Sequence, residues 1–324
     1  MKKQTLALIT VLGLGLYSCS SSNKEKTARQ SPYIAQVFEY KPAVGQFINV
    51  IPPYEKGDTE SDILRKANDA IAGENAKGMI SLGGFGGSVT FGFDHMVENR
   101  PGYRDFRVLG NAIETQLTPN SGNRGGSSEP AIIMVSYDTN NNGKPDDAWY
   151  EIVGSEHKRA LADYQITYYK PDPLKDPVKE GTSHVVDAEY IRWEDNQGGF
   201  GFKIKNSFNG QSYFPEWIDE DKITFTGRLL PNNAVDESGN GTLWVLYRFG
   251  HGYADNVPNS DKDSAIDIDW AVDAKGNPAN LPGIHFVKVY TAINQEAGWT
   301  GEISAEITGA YDLHLKNEVI ESNL

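Results

Sequence analysis

From residue 88 to residue 290 the chain is broken repeatedly into short runs rich in β-branched and aromatic side chains, with Gly, Pro, Asn and Asp clusters between them. Residues 88–93 alternate around Val89, Phe91 and Phe93, the period of a strand with one buried face. Further runs of strand character fall at 105–109, 131–137, 164–169, 222–226, 243–249, 265–272 and 284–290. No fixed-period repeat joins them, which disfavours a propeller or solenoid. The expected fold is therefore mostly β, a β-sandwich or jelly roll. Residues 273–277 (DAKGN) read as a turn, so strands near 266–272 and 284–293 are expected to pair. One short helix is expected near the N-terminus. Thr59 or Ser61 can cap it, Ile63, Leu64, Ala67, Ala70 and Ile71 recur at helical spacing, and Gly73 can end it. Glu60 and Asp62 lie in its first turn, where the helix dipole favours them.

The N-terminus reads as a targeting segment. Lys2 and Lys3 precede an apolar run over 6–16, too short to span a bilayer, which needs about 20 residues, but suited to a signal-peptide core. The run ends in Leu16-Tyr17-Ser18-Cys19, which resembles the lipobox of bacterial lipoproteins. Cys19 is the single cysteine of the chain, so it has no disulfide partner and stands where lipid would be attached. Residues 1–18 are expected to be a signal peptide, 19–31 a flexible polar tether, and 32–324 one β-rich extracytoplasmic domain. Serines followed by Lys24 and Glu25 suit outer-membrane placement with display at the cell surface; a periplasm-facing location is the alternative. The chain would meet the membrane through its lipid anchor only.

Losing residues 1–18 removes Lys2 and Lys3 and takes the formal charge from −14 to −16. Such a surface repels phosphate backbones, which argues against a nucleic-acid partner. The strongest local motif suits a cation. In 138–147 (DTNNNGKPDD), side-chain oxygens of Asp138, Asn140, Asn142, Asp146 and Asp147 occupy loop positions 1, 3, 5, 9 and 10, Gly143 occupies position 6, and the Lys144 carbonyl can add a ligand at position 7. Position 12 is Trp149 rather than Glu, so this is no EF-hand; it resembles the DxDxDG-type loops of extracellular β proteins. The expected cofactor is calcium in a structural role, pinning the loop that presents Trp149 and Tyr150. An Asn/Gly-rich hairpin without metal is the plainer alternative. A second acidic stretch holds Asp261, Asp263, Asp267 and Asp269. If 265–272 is a strand, Asp267 and Asp269 share a face, and Asp255, just after Tyr253, joins the same patch.

Enzymatic signatures are missing. Gly83–Gly87 lacks the residues of a phosphate loop, no HExxH or Gly-x-Ser-x-Gly occurs, and no carboxylate pair stands out among the 44 acidic residues. A non-enzymatic binding role is expected. Trp149, Trp193, Trp217, Trp270 and Trp299 all lie near Gly, Asn or Asp and can offer flat platforms to sugars or planar rings, although core packing accounts for many such residues. The expected ligand-binding set is Trp149, Tyr150, Trp193, Trp217, Tyr253, Asp255, Asp267, Asp269 and Trp270. Trp244, within an apolar run, is expected in the core.

Several stretches, 38–49 (FEYKPAVGQFIN), 83–95 (GGFGGSVTFGFDH), 105–112 (DFRVLGNA), 127–156, 164–171 (YQITYYKP), 195–198 (DNQG) and 264–278, resemble the Bacteroidota surface lipoproteins usually described only as cell surface proteins. The resemblance covers nearly the whole mature chain. Members often neighbour outer-membrane cobalamin transporters. The resemblance thus implies an accessory that captures a nutrient, a corrinoid such as vitamin B12 ahead of a glycan, for a TonB-dependent importer. Surface adhesion, a structural role and glycan-active chemistry are the alternatives.

Overall fold

The computed structural model describes residues 30–115, 124–179 and 184–322. Cys19, the signal peptide and the tether up to residue 29 lie outside the described residues. The fold is mostly β, built from several antiparallel sheets with one α-helix, and is sandwich-like. Among the described residues, no helix is long and apolar enough to cross a membrane.

The largest sheet grows around the run that alternates most cleanly. Ser88–Glu98 pairs on one side with Gln36–Lys41 and on the other with Gly283–Thr291. Gly283–Thr291 then pairs with Ala131–Ser136, which pairs with Trp149–Ile152, which pairs with Ala271–Val272. Val89, Phe91, Val97, Ile133, Val135, Val287 and Val289 are fully buried from this sheet. The helix Glu60–Ile71 adds Ile63, Ala67 and Ile71 to the same core. Its start follows from Thr59. The Thr59 hydroxyl accepts the Asp62 N–H at 3.3 Å, and the Asp62 carboxylate accepts the Thr59 N–H at 3.0 Å, a reciprocal cap. Just past its end, Gly73 takes φ +84°, and its N–H donates to the Ile34 carbonyl.

A second sheet, Phe200–Asn206, Val185–Asp195, Leu161–Tyr169 and Lys222–Leu229 in that order, closes a separate core of Phe85, Tyr164, Ile166, Tyr168, Ile191, Tyr213 and Phe214. Trp244 packs at the edge of a third cluster, around Leu246, Tyr253 and Tyr290.

The run 265–272 departs from expectation. It is not one strand. Ala265–Ile266 pairs with Phe106 and Arg107, a single 3-10 turn covers Ile268–Trp270, and Ala271–Val272 pairs with Glu151 and Ile152. The cause is Asp267, whose carboxylate accepts the Asp269 N–H at 2.8 Å and offers the backbone an alternative to a ladder. Asp267 and Asp269 therefore do not share a strand face: Asp267 is buried and Asp269 exposed. The expected pairing of this run with 284–293 is also absent, because both edges of Gly283–Thr291 are already taken by Ser88–Glu98 and Ala131–Ser136. The turn at 273–277 does form, closed by the Asp273 N–H to the Asn277 carbonyl, but it joins only Val272 to Pro278.

Phe91 sits fully buried in the strand that holds partners on both edges. Phe91→Ala should cost about 3–5 kcal/mol in chemical denaturation, the transfer of the ring plus the cavity it leaves. A loss below about 1 kcal/mol would mean that this face of the sheet is not the core.

Candidate functional site

The C-terminal stretch Gly301-Glu302-Ile303-Ser304-Ala305-Glu306-Ile307 alternates polar and apolar residues. Ile303, Ala305 and Ile307 turn to one buried cluster or another, while Glu302, Ser304 and Glu306 share the opposite side, all of them 3–4% exposed. Glu306–Ile307 is fixed by pairing with Ile80–Ser81. Glu306 Oε1 accepts the hydroxyls of Ser81 at 2.9 Å and Ser304 at 3.1 Å, and Oε2 accepts the Asn111 side-chain amide at 3.2 Å. Glu302 Oε2 accepts the Gln46 N–H at 3.0 Å, whereas its Oε1 is buried with no hydrogen-bond partner.

Two more acids come from elsewhere in the chain. Asp255 follows Tyr253–Ala254, which pairs with Ala131 and Ile132, and its own backbone is left-handed, with φ +50°. Its Oδ1 accepts the N–H groups of Asn111 at 2.7 Å and Ala112 at 2.8 Å, and its Oδ2 accepts the Glu306 N–H at 2.8 Å. Only glycine fits at position 110, where a Cβ would lie 2.1 Å from Asp255 Oδ1. Glu129 donates its N–H to the Asp255 carbonyl, and its carboxyl hydrogen-bonds that of Glu306. One oxygen from each of Glu129, Asp255 and Glu306 lies within 4.8 Å of the others.

Removing these carboxyls from water disfavours their charged form. Burial pushes Asp255 up to about 8, with the Glu306 charge adding to it and three amides opposing it. Burial likewise pushes Glu306 up to about 7 and Glu302 up to about 7, the latter against the pull of Lys203. Glu129 is raised well above the carboxylate range by burial and by the charges of Glu306, Asp255 and Glu302. Lys203, itself buried, is lowered by desolvation and raised by Glu296 and Glu302.

Glu129, Glu302 and Glu306 floor a pocket of about 340 Å3. Amide side chains of Gln46, Asn206 and Asn209 stand along its wall, Asn206 and Asn209 both donating to Gln46 Oε1. At its mouth Phe208 and Trp299 meet with centroids 5.7 Å apart, and His184 lies against both, stacked on Phe208 at 5.3 Å and tilted against Trp299 at 5.1 Å. Phe208 is 58% exposed, unusual for a large apolar ring with neighbours available to cover it. The arrangement offers ring faces above hydrogen-bonding groups, and acids that can carry or release protons near neutrality.

No protein-family profile matches this chain, and no curated protein matches it either.

Of the residues expected at a binding site from sequence, only Asp255 belongs to this acidic group. Tyr253 is buried in the third core cluster, where its hydroxyl accepts the Glu156 N–H at 2.9 Å. Trp149 lines a different groove of about 550 Å3, beside Glu151, His157 and Arg228. Tyr150 packs on the main core. Trp193 packs on the second core, and Trp217 lies 6.2 Å from the Tyr54 ring in a third groove. Trp270 has the Arg104 guanidinium over its ring at 5.2 Å and the tilted His251 ring at 4.9 Å, and Asp269 accepts the Asn99 amide. Asp267, buried as the cap of its 3-10 turn, is far from that group in role: it organises its own backbone.

In the 138–147 loop, Asn141 (φ +55°) and Gly143 (φ +69°) make the sharp turn. Asp138 accepts the N–H groups of Asn142 and Gly143, Asn140 accepts that of Asn142, and Asn142 accepts that of Lys144. Burial works to raise the Asp138 carboxyl, but these amides hold it below the ordinary carboxylate range. Asn142 donates to Asp146, and Asp147 accepts from Thr139. The loop thus curls its oxygens inward, toward its own amides.

The raised acids set the sign of a pH effect. Between their ordinary values and their folded values, the folded chain keeps protons that the unfolded chain releases, so stability falls as pH rises through that interval. Glu302→Gln, which can keep the bond from the Gln46 N–H, removes one such group. The variant's melting temperature should fall less than that of the unchanged protein from about pH 5 to about pH 8. Equal slopes would mean that Glu302 titrates in the fold as it does in the unfolded chain.

Proposed function

We propose that this protein is an outer-membrane lipoprotein, held at the cell surface by lipid on Cys19, that captures a small polyhydroxylated nutrient for a neighbouring TonB-dependent importer. The observation that carries this reading is the pairing of the Trp299 and Phe208 rings with the amides and carboxyls beneath them. Sugar rings present C–H faces that lie on aromatic planes, and hydroxyls that need donors and acceptors at fixed positions. A glycan end fits both halves of the pocket. A corrinoid is supported by the resemblance of the chain to surface lipoproteins found beside cobalamin transporters. It is larger than a pocket of about 340 Å3, so only its amide-bearing rim would enter. In this reading the 138–147 loop binds calcium as a structural ion.

Calorimetric titration of an oligosaccharide panel and of cyanocobalamin separates these ligands. Trp299→Ala should weaken whichever binds by at least about tenfold, the loss of one stacking platform. Binding untouched by that change would place the site elsewhere, with the Trp149 groove next to be tried. Silence toward every ligand would favour adhesion or a structural role. Turnover of a glycan would make the protein a hydrolase, chemistry for which two nearby carboxyls are suited.

The anchor is tested separately. Cys19→Ala should leave the protein unlipidated and move it from the membrane fraction to the soluble one. Retention in the membrane fraction would refute attachment through this residue.

A further inference from the structure

Along the central strand Ser88–Glu98, Val89, Phe91, Phe93, His95 and Val97 turn to the same buried side. Four of the five are apolar. The fifth is an imidazole whose side chain is 3% exposed, and a polar ring so deeply buried needs partners for its nitrogens. Both are paired with acids. His95 Nδ1 lies 2.7 Å from Asp94 Oδ1, and Nε2 lies 2.9 Å from Asp312 Oδ2. A neutral imidazole carries one N–H and can serve only one of these acceptors; an imidazolium serves both. Asp312 does not supply the missing hydrogen. Its Oδ1 accepts the N–H groups of His314 at 2.6 Å and Leu315 at 3.1 Å. Burial works to raise the Asp312 carboxyl, but His95 and these amides hold it below the ordinary carboxylate range. The other titratable ring nearby is His285, from Gly283–Thr291, which burial lowers and which the Asp138 and His95 charges push in opposite directions. His314 turns its own ring to Asp105 and the Glu98 carbonyl instead.

We propose that His95, as an imidazolium, is a pH-sensitive clasp that fastens the first described residues of the body, on the side of Cys19, to its final strand. The two carboxylates it joins each hold one end. Asp94 accepts the Ser31 N–H at both oxygens, 3.1 and 3.3 Å away. Asp312 closes the strand Gly309–Asp312, and its own N–H donates to the Pro32 carbonyl at 2.8 Å. Between these bonds Tyr33 bridges Tyr311, with the rings edge-on at 6.5 Å. Loss of one proton leaves the ring a single N–H, so one carboxylate loses its donor and both lose the positive charge set between them. The direction of the switch follows. Burial works against the charged ring, but the bonds to Asp312 and Asp94 outweigh it and hold the imidazole above its ordinary value. The folded chain therefore keeps a proton that the unfolded chain releases. The clasp is complete below the ordinary histidine range and is lost as pH rises through the raised value. It does not depend on which ligand the pocket takes.

The test reads the ring and the chain ends directly, because the buried acids also make global stability fall as pH rises. In the full-length protein with nitrogen-15-labelled histidine, the His95 resonances are those that vanish in His95→Gln. At about pH 7, where an unperturbed histidine is mostly neutral, both His95 ring nitrogens should carry hydrogen. Hydrogen exchange over 31–37 and 310–313, corrected for the intrinsic effect of pH, reads the clasp. Protection there should drop at least about tenfold in His95→Gln at about pH 6, the loss of a charge-assisted hydrogen bond. In the unchanged protein it should drop as pH rises through the His95 titration. Asp94→Asn, at an exposed side chain, guards against a misfolded His95→Gln and should lower the pH at which His95 titrates. A His95 ring with one unprotonated nitrogen at about pH 7, a titration untouched by Asp94→Asn, or protection that neither His95→Gln nor raised pH alters, overturns the proposal.

Discussion

The Asp255 carboxylate is the knot on which this site depends. It receives amides from Asn111 and Ala112 on one side and from Glu306 on the other, while its own carbonyl accepts from Glu129. Four separate stretches of chain are thereby set against each other by one residue. None of them is a long regular strand at that point, so their mutual positions rest on these bonds rather than on a ladder. A carboxylate with three amide donors is well satisfied, and that satisfaction is what allows two more acids to be brought beside it. The left-handed backbone at Asp255 and the glycine at 110 are the geometric conditions for it.

The regular parts of the fold were legible because their signals are local. Thr59 and Asp62 stand at capping-box spacing before a helical stripe, and the helix begins there. Val89, Phe91 and Phe93 alternate, and they line the core from a strand. The run 265–272 misled for an equally local reason: its apolar residues look continuous, and only the self-capping carboxylate of Asp267 breaks it. Nothing in residue type alone distinguishes a strand from two bridges flanking a turn.

The site was much less legible. Glu302, Ser304 and Glu306 recur at every second residue, a polar face that sequence does record. Ordinarily such a face meets solvent. That this one faces inward follows from Ser81, Gln46 and Asn111, which are remote in the chain and approach only through sheet pairing. The tryptophans illustrate the same limit. Proximity to Gly and Asn marks Trp149, Trp193, Trp217 and Trp299 alike, yet the fold distributes the first three over separate surfaces and brings Trp299 to the mouth above the acids.

The central strand Ser88–Glu98 has one neighbour close behind it in the chain, Gln36–Lys41, and another at the far end, Gly283–Thr291. The last of these also carries Ala131–Ser136 and everything attached to it. A chain made from its N-terminus therefore cannot finish its main sheet until nearly all of it has been synthesised, and Ser88–Glu98 waits with one edge open. Loop closure over such separations is slow, and an open strand edge invites pairing with other molecules. This topology postpones the compact state until its closing strand emerges, and it makes truncation before residue 291 a route to aggregation rather than to a smaller folded product.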